Sequence, residues 1–102
     1  MTDAPKRSIL FSPAAEGDLL AIRNYLVEEA GVGRAEIILS RIRAQCGSLG
    51  HLPERFPAVG YAVEPLRVCR CESWHIFYRL AANVEIVRII HQARDVRGEM
   101  LR

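Results

Sequence analysis

The chain has 102 residues, half of them hydrophobic and a quarter charged, the balance of one globular domain over residues 1–102 with a single core. Its apolar runs fall far short of the roughly 20 residues of a membrane helix and its first residues lack a secretion signal, so no membrane association is expected and the cytoplasm is the expected compartment. A net charge of +2 is too small to argue for nucleic acid, although residues 67–102 carry 7 basic and 4 acidic side chains against 7 and 8 in residues 1–66, which places the positive field in the C-terminal third.

The run Arg7-Ser8-Ile9-Leu10-Phe11, closed by Ser12-Pro13, predicts a first strand. Ser12 then opens a helix: its hydroxyl can accept from the unpaired N–H groups of the first turn, Pro13 fits the first helical position, and Glu16 and Asp18 favour the positive helix end. Ala15, Leu19, Ile22 and Leu26 recur at helical spacing and give one apolar stripe. Gly31 and Gly33 are expected to end this helix and open the next. The second helix carries a stripe of Ala35, Ile38, Ile42, Cys46 and Leu49, with Arg41 and Arg43 turned to water. Two such helices joined by a tight link form an antiparallel hairpin whose apolar side needs a further surface.

Residues 50–60 hold Pro53 and Pro57 between flanking glycines and predict a loop. Three strands are expected over 66–71, 74–80 and 84–91, joined by short turns into an antiparallel meander. In the second of these, alternation sets Trp74, Ile76, Tyr78 and Leu80 toward the core and His75, Phe77 and Arg79 toward an open working face. In the third, alternation sets Val87 and Ile89 opposite Arg88 and Ile90. The odd count of three cysteines, Cys46, Cys69 and Cys71, gives no disulfide framework; Cys69 and Cys71 share a strand face, Cys46 sits on a distant helix, and all three read as small core residues rather than metal ligands.

The resulting order, β-α-α-β-β-β, predicts an α+β fold in which an antiparallel helical hairpin packs on a small, mainly antiparallel sheet. Over residues 9 to 95 this order resembles the ParE/RelE toxin superfamily, and several local stretches carry the likeness together. Ser12-Pro13-Ala14-Ala15 with Asp18-Leu19 and Ile22-x-x-Tyr25 is similar to the family's first helix, Leu66-Arg67 to its entry into the sheet, and Phe77-Tyr78-Arg79 with Arg88-Ile89-Ile90-His91, followed by Arg94-Asp95, to its last two strands. The ParE branch is the nearer one.

The resemblance implies a growth-inhibiting toxin neutralised by a ParD-like antitoxin, a ribbon-helix-helix protein whose disordered C-terminal segment folds around it. ParE-type members inhibit DNA gyrase by binding, whereas RelE-type members cut mRNA on the ribosome. Cutting needs a base for the ribose 2′-OH, an acid for the leaving oxygen and cations for the phosphate. Here the chain departs from the nuclease, with His75 where that branch places an arginine and no tyrosine after the last strand; Tyr61 and Tyr78 are the only tyrosines beyond the helices. His75, Arg67 and Arg79 are the candidates for a nuclease alternative, and an inert member kept for its antitoxin complex is a third reading. For the preferred reading, Arg67, Phe77, Arg79 and Arg88 are the expected antitoxin contacts, since arginine pairs well with the carboxylates of an acidic segment and Arg67 and Arg88 flank an apolar sheet face. His91, Arg94, Asp95 and Arg97 are the expected gyrase contacts; no cofactor, metal or direct DNA binding is expected.

Overall fold

A computed structural model of the chain describes residues 6–60 and 65–93. In chain order it comprises β1 (Ile9–Phe11), α1 (Pro13–Ala30), α2 (Val32–Ser48), a single 3-10 turn (Pro53–Arg55), β2 (Arg67–Cys71), β3 (Trp74–Leu80) and β4 (Val84–His91). The four strands form one sheet in the order β1-β4-β3-β2. β1 runs parallel to β4, and the other two pairings are antiparallel. The helical hairpin covers one face of this sheet.

Ser12 acts on both sides of the first junction. Its Oγ accepts from the Ala15 N–H at 3.0 Å, capping α1, and donates to the Val87 carbonyl at 2.7 Å, so the helix start is tied to β4. Along α1 the residues that reach the core are Ala15, Leu19, Ile22 and Leu26, the predicted stripe. The helix ends at Gly31, whose φ of 87° lies where a side chain is disfavoured. Gly33, expected as part of the link, lies inside α2, because Gly31 alone makes the turn. On α2 the buried positions are Ala35, Leu39, Ile42 and Cys46. Leu39 takes the place assigned to Ile38, which is only partly buried; both fit a helical period from Ala35, and the sheet beneath selects between them. A further close approach fixes Gly50, where an added Cβ would stand 2.4 Å from the Arg7 carbonyl oxygen.

The sheet buries side chains on both faces. Toward the helices lie Cys69, Trp74, Ile76, Tyr78, Val84, Ile86 and Ile89. On the opposite face Val59, Leu66, Phe77 and Ile90 form a second, smaller core, with Val68 and Val87 packed against it. Two sequence expectations change here. Phe77 is not an open working-face residue, since it is 0% exposed. Val87 and Ile89 do not share a face: the pairing steps from Phe77–Arg88 to Tyr78–Ile86, so Val87 is the extra residue of a β-bulge. The bulge sends Val87 to the outer cluster and returns Ile89 to the main core.

The proline-rich loop supplies the cover for that second core. Its residues 57–59 lie along the free edge of β2, with the Val59 N–H donating to Leu66 O at 2.8 Å and the Val68 N–H donating to Pro57 O at 3.1 Å. The Tyr78 hydroxyl reaches through the core to Pro53 O at 2.5 Å, and Arg67 Nη1 donates to Glu54 O at 3.0 Å and Phe56 O at 2.6 Å. The loop is therefore held by a buried phenol, a guanidinium and two ladder bonds, which also blunts an otherwise open sheet edge. No helix among the described residues is long and apolar enough to cross a membrane.

Candidate functional site: a groove between α1 and β4, and a cleft on the outer sheet face

β1 ends at Phe11, so among the described residues the second half of β4 has no strand on the side away from β3, and α1 takes over that edge. Asp18, one position from the buried Leu19, is placed to do this. Its carboxylate accepts from Arg88 Nε at 2.8 Å and Nη2 at 2.9 Å, and from the Ile89 backbone N–H at 2.9 Å. The side chains are 22% and 15% exposed, so this forked ion pair is partly sheltered from water. The carboxylate bond raises the Arg88 pKa. Asp18 thus spends its acceptor capacity on the edge of β4.

Beyond this clamp, α1 and the ends of β3 and β4 enclose a groove of about 380 Å³, lined by Asp18, Ala21, Ile22, Tyr25, Trp74, Ile89, Ile90 and His91. Its walls are mostly apolar, with Tyr25 on one rim 54% exposed. Trp74 and His91 meet edge to face at the other side, ring centroids 5.4 Å apart at 88°. His91 Nδ1 accepts from the Ala93 N–H at 3.1 Å, which assigns the proton of the neutral ring to Nε2 and makes that nitrogen a donor. The size and the sparse polar groups are those of a recognition groove. Arg94, Asp95 and Arg97, the other expected target contacts, lie outside the described residues, as does Tyr61.

The second concavity lies on the outer sheet face, a cleft of about 400 Å³ lined by Phe56, Pro57, Val68, Arg70 and His75. Arg70 and His75 are direct cross-strand partners. His75 stands edge-on to Phe77 at 6.2 Å, and the Arg55 guanidinium covers the Phe56 ring at 5.0 Å. This cleft was not foreseen, because its floor comes from the loop and its rim from β2 and β3.

The residues expected for nuclease chemistry do not converge. Arg67 pairs with the core-facing Tyr78 and therefore lies on the face opposite His75, with its guanidinium on loop carbonyls. Arg79 shares His75's face but stands four residues along β3, about 13 Å away at strand spacing, and is paired with Glu85 across the hairpin. Tyr78 is 0% exposed, with its pKa pushed up to about 12 by burial. The thiols are equally quiet: burial pushes Cys46 up to about 12 and raises Cys69 and Cys71, and no cluster able to hold a metal ion occurs among the described residues.

Of the expected antitoxin contacts, Phe77 is core, Arg67 holds the loop, Arg79 faces Glu85 and Arg88 faces Asp18. The sequence pattern marks Asp18, Tyr25 and Trp74 only as helix or core positions, whereas all three line the groove. Asp18 did carry a signal, an acid flanking an apolar stripe, but its partner lies 70 residues away.

Comparison with known proteins agrees with this architecture. The structure overlays on a protein from the chromosomal ParDE toxin–antitoxin system of P. aeruginosa with a TM-score of 0.74, covering 84% of this chain and 96% of that one at 21% identity. In sequence the chain is 29% identical over 93 residues to Toxin ParE1 of Caulobacter vibrioides, covering 87% of this chain and 93% of the relative. The family model for the ParE toxin of type II toxin–antitoxin systems, parDE, matches residues 9–96. With nearly the whole chain matched in sequence and the two-helix, four-stranded fold in common, this protein belongs to the ParE family, the toxins of type II toxin–antitoxin systems.

Proposed function

We propose that this ParE-family protein inhibits DNA gyrase by direct binding in the cytoplasm, and that a ParD-like antitoxin neutralises it by folding its disordered C-terminal segment over its surface. The observation that carries the binding mechanism is the dispersal of His75, Arg67 and Arg79 over two sheet faces, so that these three do not surround one phosphate. The groove at the end of β4 supports a protein target: it is apolar, aromatic-rimmed and opens beside His91, where the chain continues into Arg94, Asp95 and Arg97. In this reading Arg67 and Arg88 brace the surface the antitoxin covers, and Phe77 and Arg79 shape the strand beneath it.

One observation keeps the nuclease as a second reading: Arg70 and His75 stand side by side in a concave site. The proposal is tested by inducing the chain in a bacterial host with and without the antitoxin encoded beside it. Growth arrest relieved by the antitoxin is expected. Normal growth on induction would point to an inert member, and arrest that the antitoxin leaves unchanged would remove it as the partner.

A further inference from the structure

Each of Arg67, Arg79 and Arg88 is engaged inside the fold, yet the sheet holds a fourth arginine. Arg70 on β2 is exposed, and among the described residues its guanidinium makes no hydrogen bond or ion pair. It faces His75, whose ring is held against Phe77 while its nitrogens remain without a hydrogen-bond partner among the described residues. Among the described residues no carboxylate lines the cleft they share; its remaining walls are Phe56, Pro57 and Val68. Two donors over an apolar floor, with no acid beside them among the described residues, suit an anionic group carried beside an apolar one.

The backbone adds direction. Loop residues 57–59 pair with β2 only as far as Val68, whose N–H points away from β3 to Pro57 O. With the two-residue period of a strand, the Arg70 N–H points the same way, and no backbone group of the described residues receives it. Among the described residues the edge of β2 is thus covered along its first half and unpaired at Arg70, immediately beside the cleft. An open edge next to a pocket is the arrangement by which a sheet accepts an added strand, with main-chain bonds for affinity and alternate side chains in pockets.

We propose that the open end of the β2 edge docks an extended acidic segment of the antitoxin, which hydrogen-bonds the Arg70 N–H, seats an apolar side chain on Phe56, Pro57 and Val68, and pairs a carboxylate with Arg70 and His75. The inference rests on antitoxin neutralisation and moves its charged contact from Arg67 and Arg88 to Arg70. The segment orders only on binding, so a short edge with one strong charge suffices as an entry point.

The test titrates full-length antitoxin into the intact toxin and into two variants, Arg70→Glu and Arg34→Glu, the latter reversing an exposed charge on α2. Reversal of a charge that meets a carboxylate is expected to weaken binding by about tenfold or more, with Arg34→Glu within about twofold of the parent. Hydrogen exchange should show the Arg70 amide protected in the parent complex, and thermal unfolding should show both variants folded. Equal affinity for parent and Arg70→Glu, or an Arg70 amide that exchanges freely in the complex, would overturn the proposal. Failure of the parent itself to bind antitoxin would instead overturn the neutralisation reading, and this inference with it. Loss of single-stranded RNA binding by Arg70→Glu with antitoxin affinity intact would assign the cleft to nucleic acid and likewise overturn it.

Discussion

Phe77→Ala is expected to destabilise the protein by about 3–5 kcal/mol, the cost of emptying a fully buried aromatic site. Phe77 is 0% exposed at the centre of the outer core, under Val59, Leu66 and Ile90. Its loss would open a cavity beneath residues 57–59, which cover that face and, among the described residues, are held by two backbone bonds, to Leu66 and Val68. A domain of this size has about 5–15 kcal/mol in total, and each kcal/mol moves its Tm by about 4–8 °C, so a fall of more than about 12 °C is expected. Urea unfolding measures the difference directly. If Phe77 were instead the open working-face residue that simple alternation suggests, the change would lie within about 0.5 kcal/mol.

The second large effect belongs to Asp18. In Asp18→Ala the Arg88 guanidinium loses both of its forked bonds and the Ile89 N–H loses its acceptor. Breaking a buried pair costs about 3–5 kcal/mol by stranding a charge. Because these side chains keep 22% and 15% exposure, water recovers part of that, and about 2–3 kcal/mol is expected. Arg88→Met strands the carboxylate less completely, since Ile89 still donates to it. In Asp18→Ala/Arg88→Met no charge is stranded, so the double variant should be less destabilised than the sum of the single ones, by about 1–2 kcal/mol. Strict additivity in the unfolding free energies would mean that the pair contributes nothing as a unit. The same cycle bears on function, because Asp18 lines the groove as well as clamping β4.

These two sites show which parts of the molecule the sequence could reveal. β3 and β4 run over 74–80 and 84–91 as expected, since each is a β-branched and aromatic run bounded by turn residues. The α1 stripe was equally legible, because Ala15, Leu19, Ile22 and Leu26 repeat at a helical period and Ser12-Pro13 marks the start. Faces within the last two strands were harder. A strict two-residue alternation has no room for the Val87 bulge, and a period alone does not say that a proline-rich loop folds back to bury Phe77. The roles of the arginines were the least legible. A guanidinium reaches several ångströms from its own backbone, so Arg88 finds Asp18 across 70 residues and Arg67 finds two loop carbonyls, pairings set by tertiary placement alone. Arg70 has no such partner among the described residues, and only the structure shows that it lies beside a cleft and an unpaired stretch of β2.

Purified protein assayed side by side for inhibition of gyrase supercoiling and for cleavage of mRNA on ribosomes, each with the parent and with His75→Ala, separates the proposed gyrase binding from RNA cutting. Both proteins are expected to inhibit supercoiling to the same extent, and neither to cleave mRNA. Cleavage by the parent that falls about 100-fold or more in His75→Ala, with supercoiling untouched by either protein, would assign the chain to the nuclease reading and overturn gyrase binding.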